Sequence, residues 1–189
     1  MKKVTLGFAM CGSFCTFSKV IEQMKKLSEE YRIVPIMSEN AYTIDTRFGK
    51  AKDFVKEVED ITKEKVIHTI DGAEPLGPKE ICDLLLIAPC TGNTLGKLSL
   101  GITDSPVTMA AKSHLRIKRP VLLSVATNDG LGASAQNIGK LLNTKYIYFV
   151  PMAQDDYVKK PNSLVSKFEL IPKCVELVLK GQQPQPIFG

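Results

Sequence analysis

Four runs of small, hydroxylic and amide residues hold the chemistry of this 189-residue chain. In Gly7-Phe8-Ala9-Met10-Cys11-Gly12-Ser13-Phe14 the glycines have P-loop spacing, but Ser13 stands where a Lys should follow Gly12. Without that Lys and the Mg-binding hydroxyl after it, γ-phosphate chemistry is not supported, and the G-x-G-x-x-G dinucleotide pattern is absent as well. The run can instead seat one phosphate on backbone N–H groups, the Ser13 hydroxyl and the positive end of a following helix. A plain strand-to-helix turn capped by Ser13 or Thr16 is the alternative. The second run is Ser38-Glu39-Asn40-Ala41. The third is Pro89-Cys90-Thr91-Gly92-Asn93-Thr94, where Pro89 should stop a strand and Asn93 or Thr94 should cap a helix. The fourth is Ala126-Thr127-Asn128-Asp129-Gly130-Leu131-Gly132-Ala133. Each alone is ordinary turn chemistry. Together, at one edge of a sheet, they predict a pocket for a flat, phosphorylated cofactor.

Thiols and imidazoles add little. The five cysteines are Cys11, Cys15, Cys82, Cys90 and Cys174, an odd number without a C-x-x-C pair. The two histidines, His68 and His114, complete no metal-ligand spacing, so neither a metal site nor a disulfide framework is expected. Reduced thiols in a cytosolic protein is the reading. Cys11, Cys15 and Cys90 fall near the predicted pocket, but none has a His partner for nucleophilic catalysis. His68 ends a predicted strand and is either a general base or a satisfied rim histidine. His114 is read as structural.

Strands must bring these runs to one edge. Apolar runs at 3–10, 32–37, 84–88 and 121–125 read as buried strands, with a short one at 66–70 and a last one at 146–150. Helices are predicted over 17–31, 50–63, 93–100, 105–114, 134–142 and 163–179. In the first, Val20, Ile21, Met24 and Leu27 share a face; in the second, Phe54, Val55, Val58 and Ile61 do. Ser163 should cap the last helix, Pro172 kink or split it, and Gly181 end it. Strands alternating with helices give right-handed βαβ units and an open parallel sheet, whose ligands sit beyond the strands' carboxyl ends.

The composition is 44% hydrophobic and 24% charged, which excludes wholesale disorder and suits one domain, residues 1–181, followed by a tail, 182–189. That tail is expected to be an exposed extension or an oligomer contact. The net charge of +5 is scattered, which argues against nucleic acid as a partner, and the basic stretch 112–119 reads as a solvated helix end. No run approaches the roughly 20 apolar residues of a membrane span. The start Met1-Lys2-Lys3, followed by an apolar run to Cys11, mimics a leader faintly, but reads better as a first strand.

Gly12-Ser13-Phe14, the run Asp83-Leu84-Leu85-Leu86-Ile87-Ala88-Pro89-Cys90-Thr91-Gly92-Asn93-Thr94-Leu95 and Gly101-Ile102-Thr103-Asp104 resemble the flavoprotein family of homo-oligomeric, flavin-containing cysteine decarboxylases. That family includes lantibiotic and phosphopantothenoylcysteine decarboxylases and the flavin prenyltransferases. Its hallmark Pro-Ala-Ser-Ala-Asn-Thr corresponds here to Pro89-Cys90-Thr91-Gly92-Asn93-Thr94. The resemblance implies a Rossmann-like (flavodoxin-like) three-layer α/β sandwich. It implies FMN held by Gly12, Ser13, Phe14, Ser38, Pro89, Cys90, Thr91, Gly92, Asn93, Thr94, Ala126, Thr127 and Asn128.

Further matches place the chain, over 4–179, in one branch of the family: Pro106-Val107-Thr108-Met109-Ala110-Ala111-Lys112, Tyr148-Phe149-Val150-Pro151 and Lys159-Lys160-Pro161-Asn162-Ser163-Leu164-Val165. That branch implies an oxidoreductase component working with a second, different chain that supplies an NADP site. It implies a small dicarboxylate substrate whose ring is aromatised, and the cytoplasm of the mother cell of a sporulating bacterium. It also implies a homo-oligomer, a trimer or a multiple of one. Lys159, Lys160, Asn162 and Ser163, with Arg47, are the candidates to hold the two carboxylates. Two departures oppose decarboxylation: Pro75 stands where the family has a His, and Val125-Ala126-Thr127-Asn128 replaces Pro-x-Met-Asn. The alternatives are a non-catalytic scaffold with an empty flavin-type pocket, and an FMN-dependent decarboxylase or prenyltransferase.

Overall fold

All six residues of Thr5–Met10 are buried, as a strand covered on both faces requires. This strand, β1, opens a chain that continues α1 (Phe17–Glu30), β2 (Arg32–Met37), α2 (Glu39–Thr43), α3 (Ala51–Thr62), α4 (Ile70–Ala73), β3 (Leu84–Cys90), α5 (Gly92–Leu100) and α6 (Pro106–Arg116). There follow β4 (Val121–Thr127), α7 (Ala135–Leu142), β5 (Ile147–Phe149), β6 (Met152–Ala153), β7 (Leu164–Ser166) and α8 (Ile171–Leu179). The computed structural model describes residues 3–189; the Met1-Lys2 start of the leader-like run lies outside them.

The parallel strands run β2-β1-β3-β4-β5. This is the flavodoxin-like order, and its switch point lies between β1 and β3. Alternating side chains feed two cores. Leu6, Phe8 and Met10 pack with α1 residues Phe17, Val20 and Met24 and with Val175 and Val178 of α8. On the other face Ala9, Ile87, Leu123 and Val125 meet Leu95, Val107, Ala110 and Ile138. The result is the expected three-layer sandwich.

Several local readings are corrected. At 66–70 only Ile67 pairs, in an isolated bridge with Ile36. Glu59 takes the Val66 N–H, and the Thr69 hydroxyl caps α4, so the extended run stops there. Pro89 does not end β3; it lies inside the strand, which shifts register against β4 between Ile87 and Cys90. It has no N–H to give the ladder, while its carbonyl accepts from Cys11 N at 3.2 Å. The strand at 146–150 is not the last. Residues 164–166, read as helix, form β7, antiparallel to the end of β4 through Ala126↔Val165 and Thr127↔Leu164, with β6 on its outer side. Ser163 therefore caps nothing. Pro172 starts α8 rather than kinking it, because a first-turn N–H has no helical acceptor to lose. Gly181 follows α8 with φ +73°, as a terminating glycine should. Residues 182–189 do not trail off: Gln183 hydrogen-bonds both the N–H and the C=O of Phe149, and Met152 N donates to Ile187 O.

Candidate functional site

Three strand ends converge on one cleft. The turn after β1 supplies Cys11 and Gly12, that after β2 supplies Ser38, Glu39 and Asn40, and that after β3 supplies Thr91. One face of α5 adds Asn93, Thr94 and Lys97, and the segment before α6 adds Asp104 and Ser105. The cleft holds about 310 Å³ and straddles the β1/β3 switch point. It is at the small end of the range for ligand pockets.

Local chemistry fixes its walls. Thr91 caps α5 by accepting from Thr94 N, so neither Asn93 nor Thr94 is the cap. Ser38 caps α2 by accepting from Ala41 N at 3.3 Å, which leaves its hydroxyl hydrogen to donate. The first-turn amides of Gly92 and Asn93 have no helical acceptor. Thr94 Oγ1 donates to Cys11 Sγ at 3.2 Å on the buried floor. Lys97 Nζ pairs with Asp104 Oδ1 at 2.8 Å across the far end, and the bond from Lys97 holds the Asp104 carboxyl below its usual range. Burial pushes the Cys11 thiol up to about 11, only partly offset by the Thr94 bond. Burial, and then Cys11, push Cys90 up further. Both stay protonated at neutral pH and are not poised as nucleophiles.

Of the residues expected to hold a phosphorylated cofactor, Gly12, Ser38, Thr91, Asn93 and Thr94 line this cleft. Pro89 and Cys90 are in the strand leading to it, and Gly92 is the first residue of α5. Ser13 and Phe14 open the 3-10 turn beside it, where the Phe14 ring packs on Phe17 at 5.2 Å. Ala126 and Thr127 end β4, Asn128 follows it, and none of the three is among the lining residues. Thr127 and Ser134 both donate to Asp129, forming a polar cluster against Gly92.

The carboxylate candidates also stand apart from the cleft lining. Lys159, Lys160 and Asn162 are exposed on the β6–β7 loop, with Lys160 paired to Asp155 at 3.2 Å. Ser163 is buried, and Arg47 lies over the Phe48 ring at 4.9 Å. His68 is exposed and stacks on Tyr42, ring centroids 3.9 Å apart. Glu39 and Asn40 belong to the second predicted run and do line the cleft, whereas sequence reasoning did not place Lys97, Asp104 and Ser105 in it. The signal for Lys97 was its i+4 spacing from Asn93, which puts both on one face of α5.

The donor set fits FMN at its phosphate end: neutral amides, the Ser38 hydroxyl and the positive end of α5, above a buried floor. Among the described residues no helix is long and apolar enough to cross a membrane.

The flavoprotein family model matches residues 1–179. The B subunit of dipicolinate synthase from Bacillus subtilis (strain 168) is 45% identical over 188 residues, 99% of this chain and 94% of that protein. The crystal structure of the dipicolinate synthase B subunit from Bacillus halodurans C has a TM-score of 0.90 at 41% identity, over 100% of this chain and 98% of that one. DmrB of Burkholderia xenovorans, solved with FMN and described as a cubic protein cage for redox transfer, shares the fold at a TM-score of 0.70 and 15% identity, over 95% and 97%. With a match over nearly its whole length and the flavodoxin-like strand order, the chain belongs to the flavoprotein family.

Proposed function

We propose that this chain works as the B-type component of a dipicolinate synthase. In this reading it helps oxidise dihydrodipicolinate, or its hydrated precursor, to dipicolinate during sporulation, in the cytoplasm of the mother cell. The A-type chain of dipicolinate synthase is the partner and supplies the NADP site. The observation that carries the reading is the 45% identity over 99% of the chain to a dipicolinate synthase B subunit.

The cleft would hold FMN, which when bound can accept the two hydrogens that aromatising the ring releases. The residues of the chain bind and orient. The amides at the start of α5 and the Ser38 hydroxyl take the phosphate. Thr94 and Cys11 form a floor that holds no mobile charge. The Cys11 thiol is held protonated, so the proton acceptors that the chain offers in the cleft are the carboxylates of Glu39 and of Asp104, the latter paired with Lys97. A cleft of about 310 Å³ is shallow for a flavin ring, which supports completion of the site by a second copy in a homo-oligomer, a trimer or a multiple of one.

The test is to assay each of the two chains alone and then the mixture, with NADP and the dihydrodipicolinate precursor. Turnover should rise on mixing. Full turnover by this chain alone, or no gain on adding it to the A-type partner, overturns the reading. A visible flavin spectrum after loading with FMN checks the cofactor separately.

A further inference from the structure

The cleft has two chemically different ends. Near Ser38 and the start of α5 every donor is neutral, the arrangement that suits a phosphate at a helix N-terminus. Lys97 lies five residues into α5, about 7.5 Å along the axis from Gly92 at the usual rise per residue. Lys97 is the one cation lining the cleft. Its side chain is 27% exposed and its only ion-pair partner among the described residues is Asp104, whose side chain is 57% exposed.

We propose that Lys97 is the carboxylate-binding residue of this cleft, and that Asp104 holds its ammonium in place until a ligand carboxylate takes over. The inference rests on the reading that the cleft serves a small heterocyclic dicarboxylate.

The exchange is energetically easy. An ion pair with an exposed partner contributes little, because water competes for both charges. Asp104 loses little on release: it stays half in solvent, and it directly precedes Ser105, the cap of α6, where the positive end of that helix favours an anion. The ammonium exchanges one charge-assisted bond, to a carboxylate that is 57% exposed, for another to a ligand carboxylate held within the cleft, where water competes less. Asp104 acts as a positioning residue, because it keeps the four-carbon Lys97 side chain in the cleft wall and so limits the entropy lost on binding. The exposed lysines of the β6–β7 loop offer no such wall.

Calorimetric titration of the full chain with pyridine-2,6-dicarboxylate, with and without FMN, tests this, alongside a fluorescence titration with FMN. Lys97→Met should weaken dicarboxylate binding by about tenfold or more, the usual range for losing a charged hydrogen bond. FMN affinity should fall by less than dicarboxylate affinity, because the phosphate seat is at Ser38 and the start of α5. Lys97→Arg should retain most of the dicarboxylate affinity. Asp104→Asn keeps a side-chain oxygen that can hold the ammonium but removes the competing charge, and so should tighten dicarboxylate binding at low salt. Equal loss of FMN and dicarboxylate in Lys97→Met would make Lys97 a phosphate ligand and overturn the assignment. Wild-type protein that binds FMN but no dicarboxylate overturns it too, with the cofactor reading intact; binding of neither overturns both.

Discussion

Gly92 shows how one residue ties the site to the fold. A Cβ there would lie 2.7 Å from both Ser134 Oγ and Thr127 Oγ1 and 2.8 Å from Asp129 Oδ1. Only glycine lets the start of α5 lie against that hydrogen-bonded cluster. Gly92→Ala should therefore cost about 1–3 kcal/mol, the usual penalty for forcing extra volume into a packed contact. It should also weaken FMN binding, because the amides at the start of α5 must shift. Thermal melts and a flavin titration check both. His114 makes a second case. It is fully buried, and neither ring nitrogen has a hydrogen-bond partner. Burial lowers its pKa to about 4, with nearby carbonyls of Ala110 and Cys82 offsetting only part. An unfolded histidine titrates near 6.5, so between roughly pH 6.5 and 4 the unfolded chain binds the extra proton and stability is lost as the pH is lowered. His114→Gln should flatten that part of the stability–pH curve, as read by urea melts from pH 7 to pH 4. At this scale the sequence was partly legible. Turn residues announced Ser38, Thr91 and Asn93, because small polar residues after apolar runs have few other uses. Lys97 and Asp104 were not legible as a pair, since their contact depends on how α5 and the segment before α6 are placed.

Elements with strong periodicity were the readable ones. β2 has the predicted bounds, and α1 ends within one residue of them, because α1 carries a clear apolar stripe and β2 is apolar beyond Arg32. The β6–β7 arm was not readable. Its strands are two and three residues long, too short for a period to show, and what makes β7 a strand is the free edge of β4 beyond the end of β5. Ser163 and Pro172 looked like helix signals, yet the pairing partner decided the outcome for 164–166 and the proline marked a start. The tail illustrates the same dependence on a distant edge. Gln183 uses its side-chain amide like one more strand residue, accepting from Phe149 N at 3.0 Å and donating to Phe149 O at 2.8 Å. Gln183→Ala strips both bonds from β5 and should cost about 1–3 kcal/mol. Hydrogen exchange at the Phe149 amide should accelerate, while β1 and β3 amides keep their protection. Unchanged exchange at Phe149 would show that the tail does not guard that edge.

On the scale of the whole molecule, α5 links two surfaces. Its first turn and the Asn93–Lys97 face bound the cleft, and its other end carries Leu100, 70% exposed, with Ile102 just beyond at 42%. A separate, apolar groove of about 310 Å³ lies there, lined by Leu98, Ile102 and Leu115 and rimmed by Lys112 and Arg116. Exposed apolar clusters with a charged rim mark association surfaces more often than free surface. The cofactor cleft is itself at the small end of ligand pockets. Both facts fit a chain that meets another copy of itself along α5. Closed symmetry is the usual form of such contacts. Light scattering at micromolar concentration should therefore give a multiple of the chain mass. The double variant Leu100→Asp, Ile102→Asp should shift the population toward monomer, since two buried carboxylates without partners oppose the contact. FMN affinity should fall with it if the neighbour helps cover the ring, and the Lys97→Met variant, whose change lies inside the cleft, should leave the mass unchanged. A monomeric wild-type chain would sink the self-association prediction. Loss of the oligomer without loss of flavin affinity would show instead that each chain completes its own cleft.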